Sequence, residues 1–296
     1  MKVQTEDHEI SEVNGAKERE RNIAAFFDLD GTLMALPSLE RRFFRMLRYR
    51  REIATRNYFL WMTESLRLLP RGISAVLHAN KAYLRGVLIL DECGERDGAI
   101  SSWHKGGHQA EGQASAPPRR NPRLPVPAFF EPAIERVAWH AKQDHEIVLL
   151  SGTLEPLARE AAHAMEAELA ARGVTAQIRV CATRLEENDG KWTGRILGEA
   201  MFGKAKARAA KRLTEAMRFD LGRSYAYGDS LNDRWLMGEV GRPVAVNPSK
   251  DLLSIARTRA WPILHWDRKE NLAPCGRKFR ARRDCRMEMA KPENAE

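Results

Sequence analysis

Ile23-Ala24-Ala25-Phe26-Phe27-Asp28-Leu29-Asp30-Gly31-Thr32 sets a short apolar run directly before two acids, a glycine and a threonine. The apolar half demands burial, whereas the two carboxylates need solvent, a cation or a catalytic task. Alternate residues of a strand share a side, so Asp28 and Asp30 are expected to point together from its carboxyl end, where open α/β sheets bind ligands. Two like charges so close raise each other's pKa unless a cation lies between them. The pair therefore reads as half of a Mg²⁺ site with one acid free to attack a substrate. The plainer alternative is a turn, because Asp-Gly is a common turn dipeptide.

Working outward, four further strand candidates follow: Glu146–Leu150, Gln177–Ala182, Ser224–Gly228 and Pro243–Asn247. Helical patterns separate them over Pro132–Gln143, Pro156–Arg172, Lys204–Phe219 and Asn232–Gly238. This alternation predicts a Rossmann-like parallel α/β sheet with helices on both faces. The interval between the first two strands is too long for one crossover helix. Residues 34–127 are therefore expected to form an inserted helical cap, with helices over Ser38–Arg71 and Ile73–Val87 and with Ser38 as an N-cap. Within it, Gly94–Pro127 reads as a flexible return loop. The core then comprises 22–33 and 128–266, flanked by a flexible charged leader over 1–21 and a disordered basic tail over 267–296.

The chain has 296 residues, 43% apolar and 30% charged, which suits about two soluble domains and excludes a disordered chain. No apolar run reaches membrane-span length, and the charged N-terminus lacks a secretory core. Cys93, Cys181, Cys275 and Cys285 show no metal-ligand spacing. Reduced thiols and a cytoplasmic location are expected. The net charge of +9 comes from two stretches: Glu40–Arg51, with six arginines against one acid, and Arg268–Arg286, with eight basic residues against two acids.

Three more segments carry chemistry. Val148-Leu149-Leu150-Ser151-Gly152-Thr153 ends a strand ahead of Pro156, and a hydroxyl beside N–H groups at a helix start can cradle phosphate or simply cap the helix. Gly203-Lys204 opens a basic helix. One of its lysines would face the site, and Lys204 is favoured over Lys206 because it follows the glycine. Tyr225-Ala226-Tyr227-Gly228-Asp229-Ser230-Leu231-Asn232-Asp233 ends another strand with two acids. Mg²⁺ takes oxygen ligands in a near-octahedral shell. Asp229 would supply one carboxylate facing Asp28, while Asp233 would bind through water or orient its neighbours. The alternative here is an N-cap and turn.

Taken in order, Asp28-Leu29-Asp30-Gly31-Thr32-Leu33, Ser151-Gly152-Thr153, Gly203-Lys204 and Gly228-Asp229-Ser230-Leu231-Asn232-Asp233 resemble the haloacid dehalogenase-like phosphatase superfamily. Within it, the chain is similar to the subfamily IB hydrolases related to phosphoserine phosphatases. Ala182-Thr183-Arg184-Leu185-Glu186, Asp189-Gly190 and Thr193-Gly194 add to the likeness, which spans about residues 23–265. The resemblance implies Asp28 as nucleophile, forming an aspartyl-phosphate, and Asp30 as general acid and base. An acid at this second position favours phosphate chemistry, since dehalogenases of this fold lack it. Mg²⁺ would be held by the Asp28 carboxylate, the Asp30 carbonyl and Asp229, with Asp233 nearby. Ser151 and Lys204 would stabilise phosphoryl oxygens, and Thr32, Gly152 and Asn232 would support substrate binding.

In related phosphoserine phosphatases a cap glutamate and arginine hold the amino acid. Glu40 is the first acid after the motif, but its spacing from Asp28 departs from expectation, so phosphoserine is not favoured. The expected function is hydrolysis of a small phosphorylated metabolite. Two alternatives are a phosphotransferase with a hydroxyl acceptor and a basic adaptor with a vestigial hydrolase core. Arg41, Arg45 and Arg48 share one helical face and could attract an anionic surface. No nucleic-acid or membrane motif accompanies them, and a solvated arginine face is the favoured reading.

Overall fold

In the computed structural model, residues 23–73, 76, 79–89, 126 and 128–267 are described. The leader (1–21), nearly all of the return loop and residues 268–296 of the tail lie outside them.

Strand β1 (Ala24–Phe27) is fully buried and sits centrally in a six-stranded sheet. Its neighbours are β2 (Glu146–Leu154) and β6 (Tyr225–Gly228). Beyond β2 lies β3 (Ile178–Thr183), and beyond β6 lie β7 (Arg242–Val246) and β8 (Ile263–Leu264). The order is β3-β2-β1-β6-β7-β8, with every pairing parallel. The chain leaves β1 towards β2 and β3, then returns to β6 on β1's other side. The crevice between the carboxyl ends of β1 and β6 is thus the topological switch point, where such sheets bind ligands.

Alternation along β1 divides the core. Ala25 and Phe27 pack on one face with Ala133, Val137, Leu157 and Met165. These come from α3 (Glu131–Lys142) and α4 (Glu155–Ala171). Ala24 and Phe26 pack on the other face with Ala209, Leu236 and Leu252. Those come from α5 (Lys204–Met217), the short α6 (Arg234–Met237) and α7 (Lys250–Thr258). Helices therefore cover both faces, as the alternating pattern predicts.

The inserted segment leaves and re-enters at one place: Met34 bridges Phe129, and the Phe130 N–H donates to the Leu33 carbonyl at 3.0 Å. Helix α1 (Leu39–Tyr49) is amphipathic. It buries Leu39, Phe43 and Leu47 and exposes Arg41, Arg45 and Arg48. Ser38 caps it, its hydroxyl accepting from the Arg41 N–H at 3.3 Å. The expected helix over Ser38–Arg71 is broken at 50–54, where Arg51 takes φ 57°, and resumes as α2 (Thr55–Leu68). The expected helix over Ile73–Val87 does not run through: Asn80 is non-helical, a 3₁₀ turn follows at Ala82–Leu84, and Gly86 has φ 78°.

An antiparallel hairpin, β4 (Leu185–Asn188) with β5 (Lys191–Ile196), stands apart from the main sheet. It reaches the inserted helices. Trp192 exchanges main-chain hydrogen bonds with Gly86 and Val87 at 2.7 and 3.0 Å. Its ring meets Phe43 edge-on at 5.9 Å.

Candidate active site

Asp28 follows β1 directly and its N–H donates to the Tyr227 carbonyl of β6 at 3.0 Å, so the sheet fixes its backbone. The chain then turns sharply at Gly31, with φ +89°, and passes Asp229 so closely that a Cβ at Gly31 would lie 2.3 Å from Asp229 Oδ2. Only glycine fits both the torsion and the approach. Asn247 locks this turn, donating from Nδ2 to the Gly31 carbonyl at 3.0 Å. Across the crevice, a Cβ at Gly228 would meet the Asp233 side chain at 2.5 Å. The Ser249 N–H holds the Asp229 carbonyl at 2.8 Å.

These constraints bring Asp28, Asp229 and Asp233 together, with one carboxylate oxygen of each within 4.8 Å of the others. Lys206, buried on α5, donates from Nζ to Asp28 Oδ1 and to Asp233 Oδ1, both at 2.6 Å. Asp233 Oδ2 accepts from the Ser230 N–H and hydroxyl at 3.0 and 2.6 Å, closing a capping box. Its oxygens are thus committed to anchoring Lys206 and the turn.

Burial pushes Asp28 up to about 7 against the opposing pull of Lys206, with Asp233 and Asp30 adding to the rise. Burial, then the charges of Asp28 and Asp233, push Asp229 up to about 9. For Lys206 burial works against the charge, but the facing carboxylates of Asp233 and Asp28 outweigh it and hold the ammonium above its ordinary value. One ammonium does not neutralise three clustered acids. The all-oxygen donor set and the charge deficit both fit a hard divalent cation of the Mg²⁺ kind.

Asp30 takes a different position. Its Oδ1 accepts from the Leu39 N–H at the start of α1, at 2.8 Å. Burial raises it to about 6, opposed by that hydrogen bond and assisted by Glu40. Ser151 and Thr153 end β2 beside a register shift between Ser151 and Leu154. Helix α4 has no side-chain cap, so neither hydroxyl serves as one. Ser151 Oγ instead accepts from the Thr153 N–H at 3.2 Å. Thr153 Oγ1 is buried with no hydrogen-bond partner among the described residues.

A cavity of about 930 Å³ opens over Asp28, Asp30, Asp229 and Lys206 and extends to the inserted helices. Ser151, Gly152 and Asn232 line it. Two expectations require correction. Lys204 does not face these acids: its Nζ lies 4.7 Å from the centre of the Trp235 ring. Gly203, with φ 55°, starts the helix so that Lys204 turns outward and Lys206, two residues on, turns in. Thr32 is fully buried and absent from the cavity wall, its hydroxyl unpartnered among the described residues. The sequence reading gives Thr153 no role beyond the hydroxyl cradle or cap and gives Asn247 none. The triplet Ser151-Gly152-Thr153 offered the first, whereas the second lies in β7's loop and no local signal ties it to Gly31.

Comparison with known proteins places this arrangement. The family profile of the haloacid dehalogenase-like hydrolases matches residues 25–237. A Mycobacterium tuberculosis protein named "Probable phosphatase" is 31% identical over 147 residues, covering 50% of this chain and 47% of that protein. The chain thus aligns with about half the length of that relative. A phosphoserine phosphatase from the same species is 28% identical over 241 residues, covering 81% of this chain and 70% of that one. A crystal structure of a Bordetella pertussis protein of unknown function superposes with a TM-score of 0.56 at 25% identity, covering 83% of this chain and 99% of the other. With the profile matched from β1 through α6, across both strand ends that carry the acids, the chain belongs to the haloacid dehalogenase-like hydrolase family.

Proposed function

We propose that the chain hydrolyses phosphomonoesters with Mg²⁺ through an aspartyl-phosphate on Asp28. One observation carries the reading: oxygens of Asp28, Asp229 and Asp233 converge within 4.8 Å, with Lys206 bound to two of these acids. Asp28, Asp229 and the Asp30 carbonyl would hold the cation, which supplies charge neutralisation and orients the phosphate. Asp233 would act through Lys206.

A phosphate at this crevice meets the Ser151 hydroxyl, the unpartnered Thr153 hydroxyl and Lys206, which would stabilise its oxygens as charge builds. Asp28 attacks phosphorus, and the bond from phosphorus to the ester oxygen breaks. Asp30 gives its proton to the departing oxygen. The Leu39 N–H holds Asp30 Oδ1, which leaves Oδ2 to carry that proton. Asp30 then accepts a proton from water, which attacks the phosphorus of the aspartyl-phosphate. The bond to Asp28 breaks, inorganic phosphate departs, and both acids return to their starting forms.

The test is phosphate release from a panel of monoesters with and without Mg²⁺, using Asp28→Asn as the blank. Release that is Mg²⁺-dependent and lost in the variant supports the reading. Equal release by the variant, or none by either protein, rejects it.

A further inference from the structure

The inserted helices roof the same cavity with a surface of a particular kind. Phe44 on α1, Tyr58 and Trp61 on α2, Tyr83 and the core residue Phe202 all line it, together with Leu36. Phe44 and Tyr83 meet edge-on at 5.1 Å, which fixes their rings. Leu36, Tyr58 and Trp61 keep 64%, 40% and 39% of their surface exposed. Large apolar side chains left open around a cavity, with charged groups at its floor, are the composition of a ligand site awaiting an apolar body.

The charges of that roof point the same way. Glu40 is its one acid among the described lining residues. Glu40 Oε1 receives both the Tyr83 hydroxyl, at 2.7 Å, and the Lys81 ammonium. Lys81 is itself only 2% exposed. A substrate ammonium at Glu40 would have to share a carboxylate whose charge a buried lysine already balances. Arg41 stands exposed at the rim. It can draw a phosphate in, and among the described lining residues of the roof Glu40 is the one acid, already paired with Lys81.

We infer that the leaving group of the natural substrate is large, apolar and uncharged, an aryl or alkyl alcohol and not an amino acid, seated against Phe44, Tyr58 and Trp61. This rests on the phosphatase reading for the orientation of the phosphate, and it adds what lies at the other end.

The test separates the two. Binding of ethyl, butyl and hexyl phosphate and of phosphoserine to Asp28→Asn with Mg²⁺ is measured by calorimetry, without turnover. A buried methylene is worth about fourfold in affinity, so the four extra methylenes of hexyl phosphate are expected to tighten binding up to about 250-fold over ethyl phosphate, and at least about 16-fold with two of them fully buried, with phosphoserine weaker than butyl phosphate. Trp61→Ala, introduced into the same background, is expected to flatten the dependence on chain length. The KM series of the wild-type protein gives a second readout if Asp28→Asn folds poorly. Affinity independent of chain length, or phosphoserine binding more tightly than butyl phosphate, overturns the inference. A clear chain-length dependence without hydrolysis by the wild type keeps the apolar site and rejects the phosphatase reading; hydrolysis without that dependence does the reverse.

Discussion

Replacing Lys206 by methionine tests the electrostatic design of the site. The ammonium lies 2.6 Å from both Asp28 Oδ1 and Asp233 Oδ1, and Lys206 is 3% exposed. Methionine fills similar space and removes the charge, leaving two buried carboxylates facing each other. Breaking a buried pair by removing one partner costs about 3–5 kcal/mol. For a domain of this size that lowers Tm by about 6–20 °C. The loss should depend on pH in a defined direction. Lys206 holds Asp28 down against burial, so the variant's Asp28 titrates above its present value of about 7. A carboxyl whose folded pKa exceeds its unfolded value adds stability below the unfolded pKa and loses it as pH rises through the folded one. The deficit relative to wild type should therefore be smallest near pH 5 and grow through pH 8. Mg²⁺ should restore part of it by supplying counter-charge. Phosphate release should fall about 10²–10³-fold, the scale for removing one transition-state donor. The assays are thermal denaturation by circular dichroism from pH 5 to 8, with and without Mg²⁺, and steady-state phosphate release. Lys204→Met serves as the comparison and is expected to stay within about twofold in turnover, because its ammonium rests on Trp235. Equal losses from the two variants, or a Lys206→Met deficit that shrinks as pH rises, would refute the reasoning.

Asp28→Asn should abolish turnover while circular dichroism and Tm show an intact or slightly stabilised fold, since one of three clustered acids is gone. Gly31→Ala forces a Cβ to within 2.3 Å of Asp229 Oδ2; displacement of Asp229 should appear as a raised Mg²⁺ concentration for half-maximal activity, and an unchanged Mg²⁺ titration would count against Asp229 as a ligand. Glu40 raises Asp30 while burial is the larger cause of its shift to about 6. Glu40→Gln should therefore lower the Asp30 pKa and move the alkaline fall of kcat/KM, where the general acid loses its proton, to lower pH. Chelation of Mg²⁺ should stop phosphate release reversibly, and the protein's Tm should rise on adding the ion back, because the cation binds the folded state.

The core was legible because its strands are buried on both faces and end in chemistry. Ile23–Asp28 reads as a buried strand from its unbroken apolar run, and the acids after it and after Ser224–Gly228 mark the crevice. What escaped reading was set by tertiary contact. Whether Lys204 or Lys206 points inward depends on the left-handed torsion at Gly203, which a basic helix with lysines on several sides does not announce. The β4–β5 hairpin is short and carries Glu186, Glu187, Asn188 and Lys191. Its largest anchor, Trp192, acquires meaning only when Phe43 and Gly86 arrive from the inserted segment. The expected helix breaks at 50–54, where Arg51 takes φ 57° and Ile53 is buried, neither of which the helical periodicity announces. Thr32, which the family resemblance implies as a supporting position, is fully buried and does not line the cavity, a depth that its place in the motif does not reveal.

The central claim is that Asp28 becomes covalently phosphorylated during turnover. Acid quenching during hydrolysis of a phosphomonoester, followed by borohydride reduction and tandem mass spectrometry, reads this directly, because an aspartyl-phosphate is reduced to homoserine. The account predicts homoserine at position 28, dependent on Mg²⁺ and accumulating in Asp30→Asn when the substrate is an aryl phosphate whose leaving group departs without a proton, so that only water attack is slowed. Modification at another residue, or sustained turnover with Asp28 never modified, would contradict it.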